Sequence, residues 1–550
     1  MLVKRIRISS LILALFIAFQ ATVGRAVYSS DSLSGLVRPA SALMLNIGLF
    51  AGITVAVYIA ALFVFRFFSH YDRPALADTI GAKRLAEIRG VCFAALFVSY
   101  FIALLAYYPG NFAYDITIQT DQALGIEKIT KFHPPLHTFI WGLCIRIGKI
   151  LSVLPGTPDV PEGGYGIEGG MFAYGLLQLS LLAFVLSGVV VRLSKRRTGK
   201  LFAPAVFLVF LLSPTIRLFS FAITKDALFA IFFVWFIMML TDEEYGAPMI
   251  AVGVIALLLR NNAVYAFAIL LVLLVKDELK GSRKRVRGKT VSKSMLAIRS
   301  IAITVLISVI ISGPVYSLMG IEKGDVREAL ALPMQQIAHT VFSDEDGLSS
   351  RQREAFVKYA DPEKLRANFN PRLADTFKRI TYKDAIEGDK KGFLKLWADL
   401  MIKNPDNYLS ELISLNISSW YLGSDVPDPG TKKRYVETEI SDYFAEQPSY
   451  RSVFEGEYNR LERFATGEIF GTNAILKVIF SPALVFMILL FASLVIYIRG
   501  GKETEAKLTF LYWLTFLAGP VACMRYVYPI LLVLPVILMT ALDPWSHSKR

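Results

Sequence analysis

The sequence predicts an all-α polytopic membrane protein, a bundle of about twelve transmembrane helices with a mainly helical domain outside the bilayer. Three observations predict it. Hydrophobic residues make up 54% of the chain and charged ones only 19%, and the mean hydropathy is +0.50, so a polar shell around several soluble cores cannot be assembled. The apolar residues arrive in runs of about 15 to 25, the length that crosses a hydrocarbon layer of about 30 Å. The Lys and Arg excess, a formal +14, gathers in short clusters between those runs, at residues 4–7, 192–200 and 276–289.

Such clusters orient spans by the positive-inside rule. They do not form a basic stripe with interleaved aromatics on a soluble module, so nucleic acid is excluded as a partner. The three cysteines, Cys92, Cys144 and Cys523, lie within or beside apolar segments. Their spacing suits neither a metal site nor a disulfide framework.

With Lys4, Arg5 and Arg7 held in the cytoplasm, the stretch 11–23 reads as an uncleaved first span, since Arg25 spoils a cleavage site. A second span over 40–68 returns to a loop with Arg73, Lys83, Arg84 and Arg89. A third over 91–107 then exits, placing the loop 108–136 outside. Counting 137–154 as a span would put the 192–200 cluster outside as well. With Arg146 and Lys149 inside it, this stretch is read as an interfacial helix, followed by a Gly/Pro-rich outer loop over 155–170.

Spans follow near 171–191, 201–213, 223–240, 247–259, 262–275 and 297–314, with a tight outer turn at 260–263. The polar segment 320–472 has helical periodicity and proline breaks, so it reads as a small external helical domain. Spans near 474–498, 507–523 and 526–541 leave the C-terminal "HSKR" in the cytoplasm. The domains are therefore two N-terminal helices (1–88), a membrane core with its outer loop (89–319), the external domain (320–472) and the C-terminal helices (473–550).

Ionisable residues at membrane depth are costly and usually functional. The ledger puts Asp115, His133, Lys225, Asp226, Arg260, Asn261, Asn262, Arg525 and Tyr526 at outer span ends or in outer loops, which predicts one site on that face. Asp115, in "YPGNFAYD", can serve as a base or metal ligand, or equally as a turn or cap residue. Gln119 lies one helical turn on. His133 opens "HPPLH"; two prolines deny it and His137 a regular helical pair, so His133 is assigned to function and His137 to structure. Asp226 reads foremost as a helix cap. Lys225 either snorkels to headgroups or meets a phosphate. Arg260 and Arg525 suit bidentate phosphate binding, with Tyr526 beside Arg525 as ligand or interfacial anchor. In the external segment, Gln335, Gln336, His339 and Trp420 can hold a sugar or simply pack.

The ordered motifs "YPGNFAYD…Q…HPPLH", "TKDALFA", "LLLRNNAVYAF", "LPMQQIA" and "RYVYP", spanning about 107–530, resemble the GT-C superfamily of membrane glycosyltransferases. They are closest to a bacterial multi-pass family related to it. The resemblance implies a GT-C-like fold and transfer of a sugar from a polyprenyl-phosphate carrier to a lipid or glycan acceptor at the outer face of a bacterial cytoplasmic membrane. It implies Asp115 as the essential carboxylate, and Arg260 and Arg525 as holders of the lipid phosphate.

Two departures accompany it. Two spans precede the matching one where the superfamily has none, and no adjacent acidic pair is present. Asp121, Glu127 or Asp226 is left to supply any second acid. No cofactor is indicated with certainty, beyond a divalent cation (Mg or Mn) for which Asp115 is the candidate ligand. The rival readings are a transporter or flippase of lipid-linked saccharides, with functional polar groups at mid-bilayer, and a non-catalytic envelope protein working through 320–472.

Overall fold

In hydrocarbon a backbone has no water to bond, so an apolar run satisfies its amides internally as a helix. The computed structural model describes residues 1–70, 80–112, 115–151, 166–196, 199–282, 293–344, 346–424, 453–501 and 503–542, and among them the chain is helical with only isolated β-bridges. The loop 155–165, Arg73, the basic residues 283–289 and the C-terminal "HSKR" lie outside the described residues. The protein is an all-α, polytopic, membrane-embedded chain.

Among the described residues, seven helices are long and apolar enough to cross a bilayer: Leu2–Ser30, Ala40–Ser69, Ala82–Ala106, Ile167–Ser194, Lys293–Leu318, Pro482–Arg499 and Met524–Leu542. The expected twelve spans are not reached by this measure, for local reasons. Gly199–Leu212, Lys225–Thr241 and Ala247–Leu259 are 14, 17 and 13 residues long, about 20 to 25 Å at the helical rise. Ala263–Ser282 closes on Lys276, Asp277, Glu278 and Lys280. The 474–498 stretch breaks at Ser481-Pro482 into Ala474–Ile479 and Pro482–Arg499. The 507–523 stretch is helical only over Thr504–Leu514 and a 3-10 turn, Thr515–Ala518.

Short helices can still lie at membrane depth if protein surrounds them. Lys225–Thr241 is buried along nearly its whole length, packed by Ile167–Ser194, Ala247–Leu259, Thr504–Leu514 and Met524–Leu542. A helix apolar on every face belongs in such a position. By contrast, only Ala61 and Phe65 of Ala40–Ser69 are buried, where Phe65 stacks on Phe491 with ring centroids 5.5 Å apart.

The Pro135–Leu151 helix packs against the start of Ile167–Ser194. Its His137 and Trp141 meet Tyr174, and its Gly148 meets Gly166, Gly169 and Gly170. The two helices therefore pack antiparallel, with contacts running from Tyr174 back to Gly166 as the first helix advances from His137 to Gly148. A Cβ on Gly148 would run into backbone atoms of Gly166, Gly169 and Gly170, so this crossing requires glycine.

The helices between Ala331 and Asn416 enclose a second hydrophobic core, with Ile337, Phe356, Phe377, Phe393 and Leu400 at its centre. This body joins the bundle at several points. Lys131 N donates to Glu322 O (2.9 Å), Ala374 N to Pro520 O (2.9 Å), and Asn416 Nδ2 to Leu517 O (3.1 Å). Asp31 holds Arg372 (3.0 Å) and Ser414 (2.8 Å). Trp420 is buried against Phe16 and Phe19, which makes it a packing residue.

Candidate functional site

The site lies where three helix ends and one loop meet. Asn111 and Ala222 form a parallel bridge, with Ile223 N donating to Asn111 O at 3.0 Å. Gln178 Nε2 donates to the carbonyls of Phe219 and Ala222, both at 2.9 Å, which fixes the same stretch from the other side. Gly110 starts the approach with φ +154°, and a Cβ there would press on Met171. These contacts set Asp115 opposite the start of Lys225–Thr241.

Thr224 caps that helix, its hydroxyl accepting from Asp226 N at 3.3 Å. Asp226 is therefore not the cap, contrary to the leading expectation for it. A Ser or Thr placed one residue before Lys-Asp competes for the cap position and wins it, which frees the Asp226 carboxylate for ion pairing.

Lys225 Nζ reaches Asp115 Oδ2 at 2.6 Å and His133 Nδ1 at 3.1 Å. Arg525, at the start of Met524–Leu542, places Nη1 3.2 Å from Asp115 Oδ2 and Nε 3.3 Å from Asp226 Oδ2. Asp226 Oδ1 accepts from Arg260 Nη1. Arg260 ends Ala247–Leu259, where the negative end of the helix dipole favours a cation. Lys225 and Arg525 sit at helix starts, where the dipole opposes them, and the two carboxylates offset that cost. The Tyr526 ring lies between the guanidinia, its centroid 4.5 Å from Arg260 Cζ and 5.2 Å from Arg525 Cζ.

Asp226 is essentially inaccessible, Arg260 is buried, and Asp115, Lys225 and Arg525 are nearly so. Among the described residues of the network, three cations face two carboxylates, an excess of one positive charge. Burial alone would raise the Asp115 carboxyl, but Arg525, Lys225 and His133 together hold it well below the usual range. Burial, then the Lys225 charge, push His133 down to about 3, so its imidazole is neutral. Three polar groups around this network have no hydrogen-bond partner among the described residues: the Asn111 amide, His133 Nε2 and Arg260 Nε.

Other expected residues serve as scaffold. Gln119 donates to Thr138 Oγ1 (2.9 Å) and bonds His137 Nδ1 (2.9 Å), while His137 Nε2 bonds Tyr174 Oη (2.8 Å). His137 is the structural residue expected. Asn261 is exposed at the rim and donates to Lys131 O at 3.4 Å. Gln335 is buried in the second core, donating to Asn370 O at 2.5 Å, and stands apart from the network. Its neighbour His339 bonds Glu411 at 2.6 Å.

The acid brought to Asp115 is Asp226, across Arg525, rather than Asp121 or Glu127. This donor set does not fit a divalent cation. The Arg525 guanidinium occupies the place between the two carboxylates, and among the described residues no three His, Cys, Asp or Glu side chains group as metal ligands.

Sequence reasoning passed over Asn111 and Tyr174, and weighed Asp226 mainly as a cap. For Asp226 the available signal was a Lys-Asp pair at the start of a wholly apolar helix.

Neither curated proteins nor solved structures provide a match. One family pattern does match, described as "Family of unknown function (DUF6020)", over residues 165–550. That span includes Lys225, Asp226, Arg260 and Arg525 and begins after Asp115 and His133. Since the match covers more than half of the chain, the protein belongs to this DUF6020 family.

Proposed function

We propose that the protein is a membrane glycosyltransferase that takes a sugar from a polyprenyl-phosphate donor and passes it to a lipid or glycan acceptor at the outer face of a bacterial cytoplasmic membrane. The observation that carries this reading is the excess of positive charge among the described groups of this buried network. A buried ion network with one surplus cation is costly to maintain, and a phosphodiester monoanion would neutralise it.

The orientation has its own support. Arg192, which pairs with Asp242 at 2.5 Å, marks the far end of Lys225–Thr241, about 25 Å from the site at the helical rise. Arg5 and Arg499 bond carbonyls at that same far end, at Tyr497 and at Ala541 and Leu542. By the positive-inside rule, this placement of basic residues supports a cytoplasmic far end and an external site.

A carboxylate clamped by Lys225 and Arg525 is a weak base. A donor phosphate recruiting these two cations releases Asp115, whose basicity then rises toward that needed to deprotonate an acceptor hydroxyl. The hydroxyl oxygen attacks the anomeric carbon, the bond to the phosphate oxygen breaks, and the cations stabilise the charge on the departing polyprenyl phosphate. The test is sugar transfer by purified, reconstituted protein across a panel of polyprenyl-phosphate sugars, comparing wild type with Asp115→Asn. Transfer abolished in a folded variant supports the reading. No transfer by wild type, with movement of labelled lipid between leaflets instead, would replace it with transport.

A further inference from the structure

We infer that His133 is a fixed hydrogen-bond donor to the anionic substrate: its Nδ1 accepts from Lys225, and its Nε2–H points at a substrate oxygen. The argument begins with Lys225. An ammonium has three donors and no acceptor, so the 3.1 Å contact between Lys225 Nζ and His133 Nδ1 requires a lone pair on Nδ1. In a neutral imidazole the single proton then sits on Nε2. That nitrogen is buried and has no partner among the described residues, while His133 as a whole is 5% exposed. A buried donor left unpaired is destabilising, and an oxygen acceptor relieves it.

The acceptor is an anion by the company His133 keeps. Lys225, Asp115, Arg525 and His137 are the titratable groups that face it, and the network they belong to has the surplus positive charge. Protonation at Nδ1 would set an imidazolium against the Lys225 ammonium. The low pKa agrees, keeping the ring neutral across the physiological range. Pro134 and Pro135 follow directly and Phe132 packs edge-on at 4.3 Å, so the ring has little freedom to turn away. A neutral donor adds a directed bond without adding charge, which distinguishes its role from that of the three cations.

The identity of the oxygen, a non-bridging phosphate oxygen of the lipid-linked donor, rests on the proposed function; the tautomer does not. Both are read on full-length protein in nanodiscs labelled with [15N]histidine. The chain has five histidines, and the His133 signals are those missing from His133→Gln. The expected spectrum shows protonated Nε2 and bare Nδ1, unchanged from about pH 5 to 8, with the Nε2 signal moving when a short-chain polyprenyl phosphate is added.

Binding of the same probe to variants gives the second readout. Gln can present an amide N–H near the Nε2 position and should bind within about threefold of wild type. His133→Ala should bind roughly 10- to 100-fold more weakly, as for losing a hydrogen bond to a charged acceptor. A proton on Nδ1, titration near the ordinary histidine value, or wild-type binding by His133→Ala would each overturn the assignment. If transfer assays fail while the Nε2–H tautomer and its response to the probe persist, the transferase reading falls and His133 remains an anion-binding donor.

Discussion

Lys225 and Asp226 are chain neighbours whose side chains serve opposite halves of one ion network. Lys225 reaches back to Asp115 and His133 in the loop 108–136. Asp226 reaches across to Arg260 and Arg525 at two other helix ends. Successive residues on a helix point about 100° apart, so a Lys-Asp pair just inside a helix start gathers groups from three other stretches of chain.

Removing the charge of Asp115 separates binding from chemistry. Asp115→Asn leaves Lys225 and Arg525 without their shared carboxylate and raises the surplus positive charge from one to two. Polyprenyl-phosphate binding should tighten, while sugar transfer should fall by about 10²- to 10⁴-fold, the usual scale for a lost acid or base. Side-by-side binding and transfer assays check this. Weaker binding together with intact transfer would contradict both halves.

Asp226 is the structural keystone between two guanidinia. Asp226→Ala strands Arg260 in a buried site and should cost about 3–5 kcal/mol of stability, the scale for breaking a buried pair. Asp226→Ala combined with Arg260→Met should recover part of that loss, because the uncompensated charge is gone. Thermal unfolding of wild type, both single variants and the double variant in detergent measures the cycle; a double-variant loss equal to the sum of the two single losses would show the pair to be uncoupled.

The crossing at Gly148 tolerates no side chain. Gly148→Ala pushes a methyl into the backbone of Gly166, Gly169 and Gly170, which cannot rotate away. It should cost about 1–3 kcal/mol or more, by overpacking. Gly142→Ala is the control, since its Cβ would meet the Ala123 methyl at an ordinary 3.4 Å, and the two melting temperatures should differ accordingly.

Glu411 should make the helices between Ala331 and Asn416 sensitive to pH. Burial raises its carboxyl from 4.5 to about 7, against the opposing pull of His339. The folded state therefore holds a proton that the unfolded chain releases near 4.5. The stability Glu411 contributes is fully present below about pH 4.5 and is lost as pH rises through 7, about 3 kcal/mol in all. Thermal melts across that range should decline with pH in wild type, and the decline should flatten in Glu411→Gln.

Much of this site was legible before folding. Asp115, His133, Lys225, Arg260 and Arg525 all stand at the ends of apolar runs, where an ionisable residue has few structural excuses, and these five do converge. Gln335 was misleading because amides on a periodic helix look alike whether they bind a ligand or, as here, hold a neighbouring carbonyl. Gln119 was misleading for a related reason: it shares a helical face with Asp115, but that face is occupied by His137 and Thr138. The twelve-span count exceeded the seven helices that, among the described residues, meet the length and hydropathy of a span. Hydropathy registers burial in protein and burial in lipid alike, and the short helix at Lys225 is buried in protein.

By itself, the sequence determined that this is a helical membrane protein and which end of each apolar run carries charge. Those properties follow from local composition and from the cost of an unpaired amide or ion in hydrocarbon. Only the tertiary structure decided which charges meet: that Arg525 bridges Asp115 and Asp226, that one cation is left in excess, and that His133 turns Nδ1 toward Lys225. Electrostatic energy depends on separations of a few ångströms in a medium of low polarity, and for residues up to 410 positions apart those separations are set by packing, which no local pattern encodes.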